Sequence, residues 1–203
     1  GKVSWVGREA DLPAIKNADE IWLSDTAVLP AFTECHTHLA FAGDRAQEFE
    51  WRMQGATYQE ISARGGGIVC TVAATRKVSE DDWLRLMQRR ADRFTEQGVT
   101  PLEVKSGYGL DEVSEIKCLR AAGAIRGPRI VRTFLGPHSK PPEFGTIDEY
   151  FDHVLNILLP KIAEMKLAER ADIFIEKGFF SAEHGAKFFA KAKSLGLRLT
   201  GHV

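Results

Sequence analysis

Residues 79–109, SEDDWLRLMQRRADRFTEQGVTPLEVKSGYG, contain a helix, a strand and a loop in succession, and this order decides the fold. Ser79, followed three residues later by Asp82, has the spacing of an N-terminal capping box. Trp83 begins an apolar stripe at helical spacing, and Gly98 is typical of a helix end. The VTPLEVK run that follows predicts a strand, which leads into the glycine-rich loop SGYG.

The same order of elements recurs along the rest of the chain. Further helices are predicted at residues 111–122, from Thr146 onward with a kink or break at Pro160, and from Ser181 onward. Strands that alternate with such helices are typical of parallel βαβ architecture. Five strands are predicted, at residues 28–35, 99–104, 129–135, 172–176 and 197–202.

The loops that follow the strands hold most of the His, Tyr, Arg, Gly and Pro residues, whereas the links from helix to strand are short. This asymmetry favours an α/β fold of the (β/α)₈ TIM-type barrel class, with its chemistry at the carboxyl ends of the strands. A closed barrel needs eight strands in about 250 residues, so residues 28–203 are expected to form only its first part. A doubly wound five-stranded sheet is the alternative. Residues 1–27 fit neither repeat and predict a segment of a small β domain.

The composition argues against several classes of function. The net charge is −1, and no basic stripe indicates a nucleic-acid partner. No apolar run approaches the ~20 residues needed to cross a bilayer. The three cysteines are widely spaced, which fits no disulfide framework and favours a reducing cytoplasm. Cys35, Cys70 and Cys118 are each expected to be small buried residues.

Residues 35–45, CHTHLAFAGDR, place His36 and His38 at the end of the first predicted strand. Residues i and i+2 of a strand face the same side, so the two imidazoles can share one metal ion. A lone His-x-His is a weak signal, and the alternative is one solvent-facing and one hydrogen-bonded histidine. His138 and His202 also follow strands, and imidazoles gathered at one barrel mouth favour Zn²⁺ or Fe²⁺.

Other polar residues have structural interpretations. His153 and His184 lie inside predicted helices and are expected at the surface or in packing contacts. Glu103 and Lys105 lie on a predicted barrel strand and are expected to pair with each other in the core. The GGGI run at residues 65–68 lacks the GK[ST] ending of a phosphate-binding loop, so a turn or a flexible active-site loop is expected there.

Five stretches of the sequence resemble one enzyme family. The stretches are LPAFTECHTHLAFAGDRAQEFEWRMQG, GGGIVCTVAATR, EVKSGYGL, FLGPHSKPPE and LRLTGHV, and they cover nearly the whole chain. They closely resemble the imidazolonepropionases of the amidohydrolase superfamily. HTHLxFAGxR and EVKSGYGL are specific to this family within the superfamily.

The resemblance implies a (β/α)₈ barrel with a small β domain, and one metal ion, either Zn²⁺ or Fe in the 2+ or 3+ state. It implies hydrolysis of 4-imidazolone-5-propanoate to N-formimidoyl-L-glutamate in histidine degradation, by a cytoplasmic homodimer. The implied metal ligands are His36, His38 and His202. The implied substrate-binding residues are Arg45, Tyr108 and His138, of which His138 is also the catalytic candidate.

The residue types agree with these implied roles. The guanidinium of Arg45 can pair with the substrate's carboxylate through two hydrogen bonds, although a loop arginine can equally be a solvated charge. Tyr108 lies between glycines that let the backbone approach a ligand closely, and its alternative is a loop packing residue. His138 can bond or polarise the ring carbonyl, and its alternative is a turn residue.

The resemblance also implies residues that this sequence does not contain. A fourth ligand, an aspartate on the last barrel strand, and a glutamate base are expected beyond residue 203, so the chain is expected to be truncated on its C-terminal side. The alternatives are another deaminase or cyclic amidase of the superfamily, or a non-catalytic fragment of such an enzyme.

Overall fold

The computed structural model describes residues 2–203, apart from the side chains of residues 58, 62 and 63. The chain forms two units, Gly1–Pro30 and Ala31–Val203. In the first unit, the described residues contain a single 3₁₀ turn, Glu9–Asp11, and no strand. The assignment of residues 1–27 to a small β domain therefore stays a prediction.

The second unit is built on one parallel sheet of five strands in the order β1-β2-β3-β4-β5. The strands are β1 (Phe32–Glu34), β2 (Val99–Lys105), β3 (Arg129–Phe134), β4 (Arg170–Ala171) and β5 (Arg198–Leu199). Each strand pairs in parallel with the next strand along the chain.

This sequential strand order distinguishes the two folds that the sequence allows. A doubly wound sheet reverses its strand order at a switch point, whereas here every crossover advances by one strand in the same direction. The sheet curls as part of a TIM-type barrel does. The predicted α/β class and partial barrel are confirmed, and the doubly wound alternative is wrong.

β1, β4 and β5 are shorter than the sequence predicts, and β4 lies just before the predicted range of residues 172–176, but the backbone pairing of β4 and β5 continues toward their carboxyl ends. The N–H of Thr200 donates to the carbonyl of Ala171 at 3.0 Å, and the N–H of His202 donates to that of Ile173 at 3.0 Å. Phe174 and His202 also form an isolated parallel bridge. His202 is therefore held by the sheet even though β5 ends three residues earlier.

Eight α-helices occur in the described part of the second unit. They are α1 (Ala46–Met53), α2 (Tyr58–Ala63), α3 (Ile68–Arg76), α4 (Glu80–Glu96), α5 (Glu112–Gly123), α6 (Ile147–His153), α7 (Leu159–Glu164) and α8 (Ala182–Ser194). The helices predicted after Ser79, Thr146 and Ser181 and at residues 111–122 are confirmed. The sequence pattern does not predict α1, α2 and α3, which are short and lie between β1 and α4.

Local chemistry explains where the predicted helices begin and break. The Ser79 hydroxyl accepts the N–H of Asp82 at the start of α4, and Thr146 forms a complete capping box with Glu149. The predicted break near Pro160 is present as a π-helical turn, Val154–Leu158, that precedes α7. Proline has no N–H for the carbonyl four residues earlier, and a π-helical turn accommodates that loss.

The two faces of β2 carry different side chains. Leu102 and Val104 are fully buried against helices α4 and α5, where Trp83 and Met87 cover them. Because side chains alternate along a strand, Glu103 and Lys105 point to the opposite face, which is the inner face of the curled sheet. A second apolar cluster joins α6, α7 and α8 to the later strands.

The cysteines differ in their surroundings. Cys118 is buried in α5 as predicted, whereas Cys35 and Cys70, the latter on α3, are exposed, so the prediction that these two are buried is wrong. Cys70 follows the glycine run on a helix whose buried residues are Thr71, Val72 and Thr75. No helix in the described residues is both long and apolar enough to cross a membrane.

Replacing Met87 by alanine tests the packing of α4 on β2. Met87 is 0% exposed, so Met87→Ala leaves a cavity, and the free energy of unfolding should fall by about 2–5 kcal/mol. Met53, the last residue of α1, is 74% exposed, so Met53→Ala should change it by less than about 0.5 kcal/mol. Urea denaturation of the protein at its natural length measures both changes, and equal losses would contradict this packing.

Candidate active site

Three histidines from opposite ends of the sequence meet at the carboxyl ends of the strands. The Nε2 atom of His202 lies 3.2 Å from that of His38 and 3.1 Å from that of His36. Two ligand atoms bound to zinc at ~2.0–2.1 Å in tetrahedral geometry are about 3.4 Å apart. The three imidazoles are therefore spaced as ligands of one ion could be, and among the described residues they form a cluster able to hold a metal ion.

The first strand positions two of these histidines through its pairing with β2. The carbonyl of Thr37, the residue between them, accepts the N–H of Lys105 at 3.1 Å. The Thr37 side chain is buried, and its hydroxyl donates to the carbonyl of Glu103 at 2.5 Å. Thr37 thus points into the protein while His36 and His38 share the other side, as the i, i+2 rule predicts.

The histidine cluster is suited to a cation because His38 is uncharged at neutral pH. Burial, and to a smaller extent the neighbouring His138, His202, His36 and Lys105 in that order, together lower the pKa of His38 to about 3. A neutral imidazole has a free lone pair, which is the form that binds a metal.

His202 has a carboxylate partner on its other ring nitrogen. Its Nδ1 lies 3.0 Å from Oδ2 of Asp172, which is 1% exposed and follows β4 directly. The contact is close but not aligned as a hydrogen bond. The negative charge beside Nδ1 favours the tautomer that carries its hydrogen there, which leaves the lone pair of Nε2 for the cluster. Burial raises the pKa of Asp172, but hydrogen bonding and charge from Lys105 and His202 outweigh this effect and lower it overall.

His138 lies beside the histidine cluster. Its ring stacks on His38 with centroids 5.1 Å apart, and the Tyr108 ring meets it edge-on at 5.1 Å. Nδ1 of His138 is 2.8 Å from the carbonyl of Gly107, so Nδ1 carries the hydrogen and donates. Burial lowers the pKa of His138 to about 4, so at neutral pH its Nε2 is a hydrogen-bond acceptor.

The loop that carries Tyr108 folds around a buried carboxylate. Glu115, on α5, is 0% exposed and accepts the N–H groups of Gly107, Gly109 and Leu110 at 2.9–3.1 Å. Burial raises the pKa of Glu115, and the hydrogen bonds from Ser106 and these N–H groups oppose that rise. The carboxylate therefore fixes the backbone on both sides of Tyr108.

The glycines of this loop serve the protein's own packing. Gly107 has φ +107°, and a Cβ there would lie 2.6 Å from the carbonyl of Leu135. A Cβ on Gly109 would lie 2.6 Å from Cβ of Ser114. Both distances are shorter than any real Cβ contact, so these contacts, independently of any ligand, already require glycine at both positions.

Arg45 lies in the loop between β1 and α1, and its guanidinium is contacted by the protein only at Nε among the described residues. Its Nε donates to the hydroxyl of Thr71 at 3.1 Å and lies 3.9 Å from the buried carboxylate of Glu48. Its side chain is 42% exposed. Within the described part of the chain, neither Nη group has a hydrogen-bond partner, so both can bind an anion.

Arg45, His38 and Tyr108 line one cleft of about 540 Å³. The other lining residues are Phe41, Gly43, Asp44, Thr71 and Arg90. The Arg90 guanidinium lies 3.8 Å from the centroid of the Phe41 ring and donates to the carbonyls of Leu39 and Phe41, which holds the loop in place. All six residues that the sequence predicts for a site thus lie in or beside one region.

The sequence pattern does not predict a role for Thr71, Phe41, Arg90 or Asp172. Thr71 lies on α3, a helix without a clear apolar periodicity. Arg90 lies on α4 among other charged residues and has no distinguishing neighbour in the sequence. Asp172 does leave a signal, because a carboxylate at the start of the apolar run ADIFIE is unusual for a buried strand.

Comparison with known proteins finds relatives of the chain, although no protein-family model matches it. The imidazolonepropionase of Bdellovibrio bacteriovorus is 47% identical over 100% of this chain, which covers 49% of that relative. Imidazolonepropionases of Vibrio cholerae and Clostridium tetani are 44% and 42% identical over 100% and 93% of the chain.

By sequence, the chain belongs to the imidazolonepropionase family. The resemblance carried by its motifs is therefore confirmed. The chain spans about half the length of the curated imidazolonepropionases it matches. The roles of the individual site residues stay predictions, because the comparisons report overall identity and no residue roles.

Replacing Glu115 by alanine tests how the Tyr108 loop is held. Glu115→Ala leaves three buried N–H groups without their acceptor, so the free energy of unfolding should fall by more than about 3 kcal/mol. Glu112, one turn earlier on α5, is partly exposed and pairs with Lys161, so Glu112→Ala should cost less than about 1 kcal/mol. Chemical denaturation measures both, and faster amide exchange at residues 107–110 should accompany the first variant only.

Proposed function

We propose that the protein to which this chain belongs hydrolyses 4-imidazolone-5-propanoate to N-formimidoyl-L-glutamate with one bound divalent metal ion, Zn²⁺ or Fe. The observation that carries this proposal is the convergence of three histidines, in which Nε2 of His202 lies 3.1 Å from that of His36 and 3.2 Å from that of His38. The family's name agrees with this chemistry.

The three histidines are chemically suited to the ion. Neutral imidazoles suit zinc and iron, and catalytic zinc sites use three protein ligands with a further position open for water or substrate. His36, His38 and His202 would hold the ion. When bound, a divalent ion lowers the pKa of water to about 7 and so supplies hydroxide at neutral pH.

The cleft beside the cluster suits an acidic substrate. The free Nη groups of Arg45 can form two parallel hydrogen bonds with the propanoate carboxylate. Burial raises the pKa of Tyr108, and nearby Arg45 opposes part of that rise. The phenol therefore keeps its hydrogen at neutral pH and can donate to a substrate oxygen.

His138 is suited to a ring N–H rather than to the ring carbonyl. Because its Nδ1–H is already bonded to Gly107 and its Nε2 has no hydrogen at neutral pH, Nε2 can only accept. A neutral His138 can therefore orient the imidazolone by accepting from a ring N–H. This interpretation replaces the polarisation of the ring carbonyl that the sequence alone allows.

Other expectations from the sequence have no observation here that tests them. The homodimer and the cytoplasmic location remain predictions. No contact or cleft among the described residues favours a deaminase over a cyclic amidohydrolase. A deaminase would become the leading candidate only if the imidazolone assay below failed in a metal-loaded protein.

The direct test follows the ultraviolet absorbance of imidazolonepropanoate. The metal-loaded protein at its natural length should remove the imidazolone band and release N-formimidoylglutamate. His36→Ala removes a proposed ligand and should lower kcat by more than about 100-fold. His153→Ala, on α6 and outside the cluster, should retain wild-type activity. An unchanged band with metal-loaded wild-type protein would refute the proposed reaction.

A second test asks whether Arg45 binds the substrate's carboxylate. Arg45→Met removes a charge-assisted pair worth about 1.5–3 kcal/mol, so KM should rise about 10- to 150-fold. Arg52→Met, an exposed arginine at the end of α1, is the matched control and should leave KM unchanged. For an imidazolone without the propanoate group, wild type and Arg45→Met should behave alike. Equal losses with both substrates would show that Arg45 acts on something other than the carboxylate.

A further inference from the structure

A lysine and two carboxylates are buried together beneath the histidine cluster. The side chains of Lys105, Glu103 and Asp172 are 2%, 6% and 1% exposed. Nζ of Lys105 lies 2.6 Å from Oε1 of Glu103 and 2.8 Å from Oδ2 of Asp172. This triad joins the inner face of β2 to the segment that follows β4.

One carboxylate of the triad contacts the third histidine. Oδ2 of Asp172 lies 3.0 Å from Nδ1 of His202, on the side of the ring opposite the cluster. This close contact favours the tautomer with the hydrogen on Nδ1 and restricts the orientation of the imidazole. A carboxylate in this position also makes the remaining nitrogen a stronger metal ligand.

The other carboxylate contacts the strand that carries the histidine pair. Oε2 of Glu103 accepts the N–H of Thr37 at 3.1 Å. The backbone groups of Glu103 and Lys105 also bond Thr37, at 2.5 and 3.1 Å. Thr37 is therefore bound on three atoms, and His36 and His38 are adjacent to it in the sequence.

We propose that Lys105, Glu103 and Asp172 are positioning residues that hold the three histidines in the arrangement needed for one metal ion. Lys105 is the common member, because it bonds both carboxylates and so joins the His36–His38 segment to His202. The inference rests on the metal site of the proposed function and adds to it the residues that build that site.

The energetics of buried charge agree with a positioning role. Removing a lysine and two carboxylates from water costs several kcal/mol per ion, and apolar side chains of similar volume often give equal or greater stability. The triad therefore contributes little to net stability. Its distinguishing property is directional contact with both chain segments that carry the proposed ligands.

Metal affinity of the protein at its natural length tests the triad without any substrate. Asp172→Asn should raise the Kd for Zn²⁺ about 10- to 100-fold, the usual effect of losing such a partner. Competition of the metal-free protein with a chelating indicator at fixed pH measures the Kd. The visible spectrum of the Co²⁺-loaded variant should also differ from that of wild type, which a merely less stable protein would not show.

Two further variants keep the test decisive. Lys105→Met alone leaves two buried carboxylates unpaired and can prevent folding, so it is combined with Glu103→Gln and Asp172→Asn. This neutral triple variant retains similar side-chain volume, and its Kd should also rise at least tenfold. Glu115→Gln is the matched control, because Glu115 is equally buried but contacts no histidine, and its Kd should equal that of wild type.

The outcomes separate this inference from the proposed function. A Kd within twofold of wild type in Asp172→Asn and in the triple variant, or an equal loss in Glu115→Gln, would overturn the inference. A wild-type protein that binds no divalent ion would also overturn it. If wild type binds Zn²⁺ but leaves imidazolonepropanoate intact, the proposed reaction fails, while weakened Zn²⁺ binding in Asp172→Asn still supports the triad.

Discussion

The contact between buried Lys105 and its two carboxylates is the constraint on which the arrangement of the site depends. Lys105 lies on the inner face of β2, between the segment after β1 and the segment after β4. Because a buried ammonium must satisfy its charge and its hydrogens, Glu103 and Asp172 have to face it. Their remaining contacts then orient Thr37 on one side and His202 on the other.

Buried carboxylates recur beneath the loops that surround the cleft. Glu115 accepts three N–H groups of the Tyr108 loop, and Glu48 accepts the N–H of Gly67 at 2.8 Å where the glycine run enters α3. Each carboxylate satisfies loop N–H groups that would otherwise be buried without an acceptor. The backbone of these loops is therefore fixed by hydrogen bonds to buried carboxylates. This reduces the entropic cost of orienting the side chains of the cleft for a ligand.

Much of the fold was predictable because its signals are local. Capping residues such as Thr146, the helical spacing of apolar residues and the effect of Pro160 all act within a few positions of each other. Helices α1 to α3 were not predictable in the same way, because they are short and their weak periodicity is overridden by contacts with the loops. Cys70 is exposed on α3, which is one of these three unpredicted helices.

The sequence by itself determined that His36 and His38 share one side of a strand end, that strands and helices alternate, and that the chain is related to imidazolonepropionases. The resemblance also implied that His202 joins this pair, but only the tertiary structure brings its Nε2 to 3.2 Å from that of His38, 164 residues earlier. It also decided that Asp172 holds His202 and that His138 presents an accepting nitrogen. These properties depend on which groups the curled sheet brings together and buries, and neither distance in space nor desolvation is encoded in local spacing.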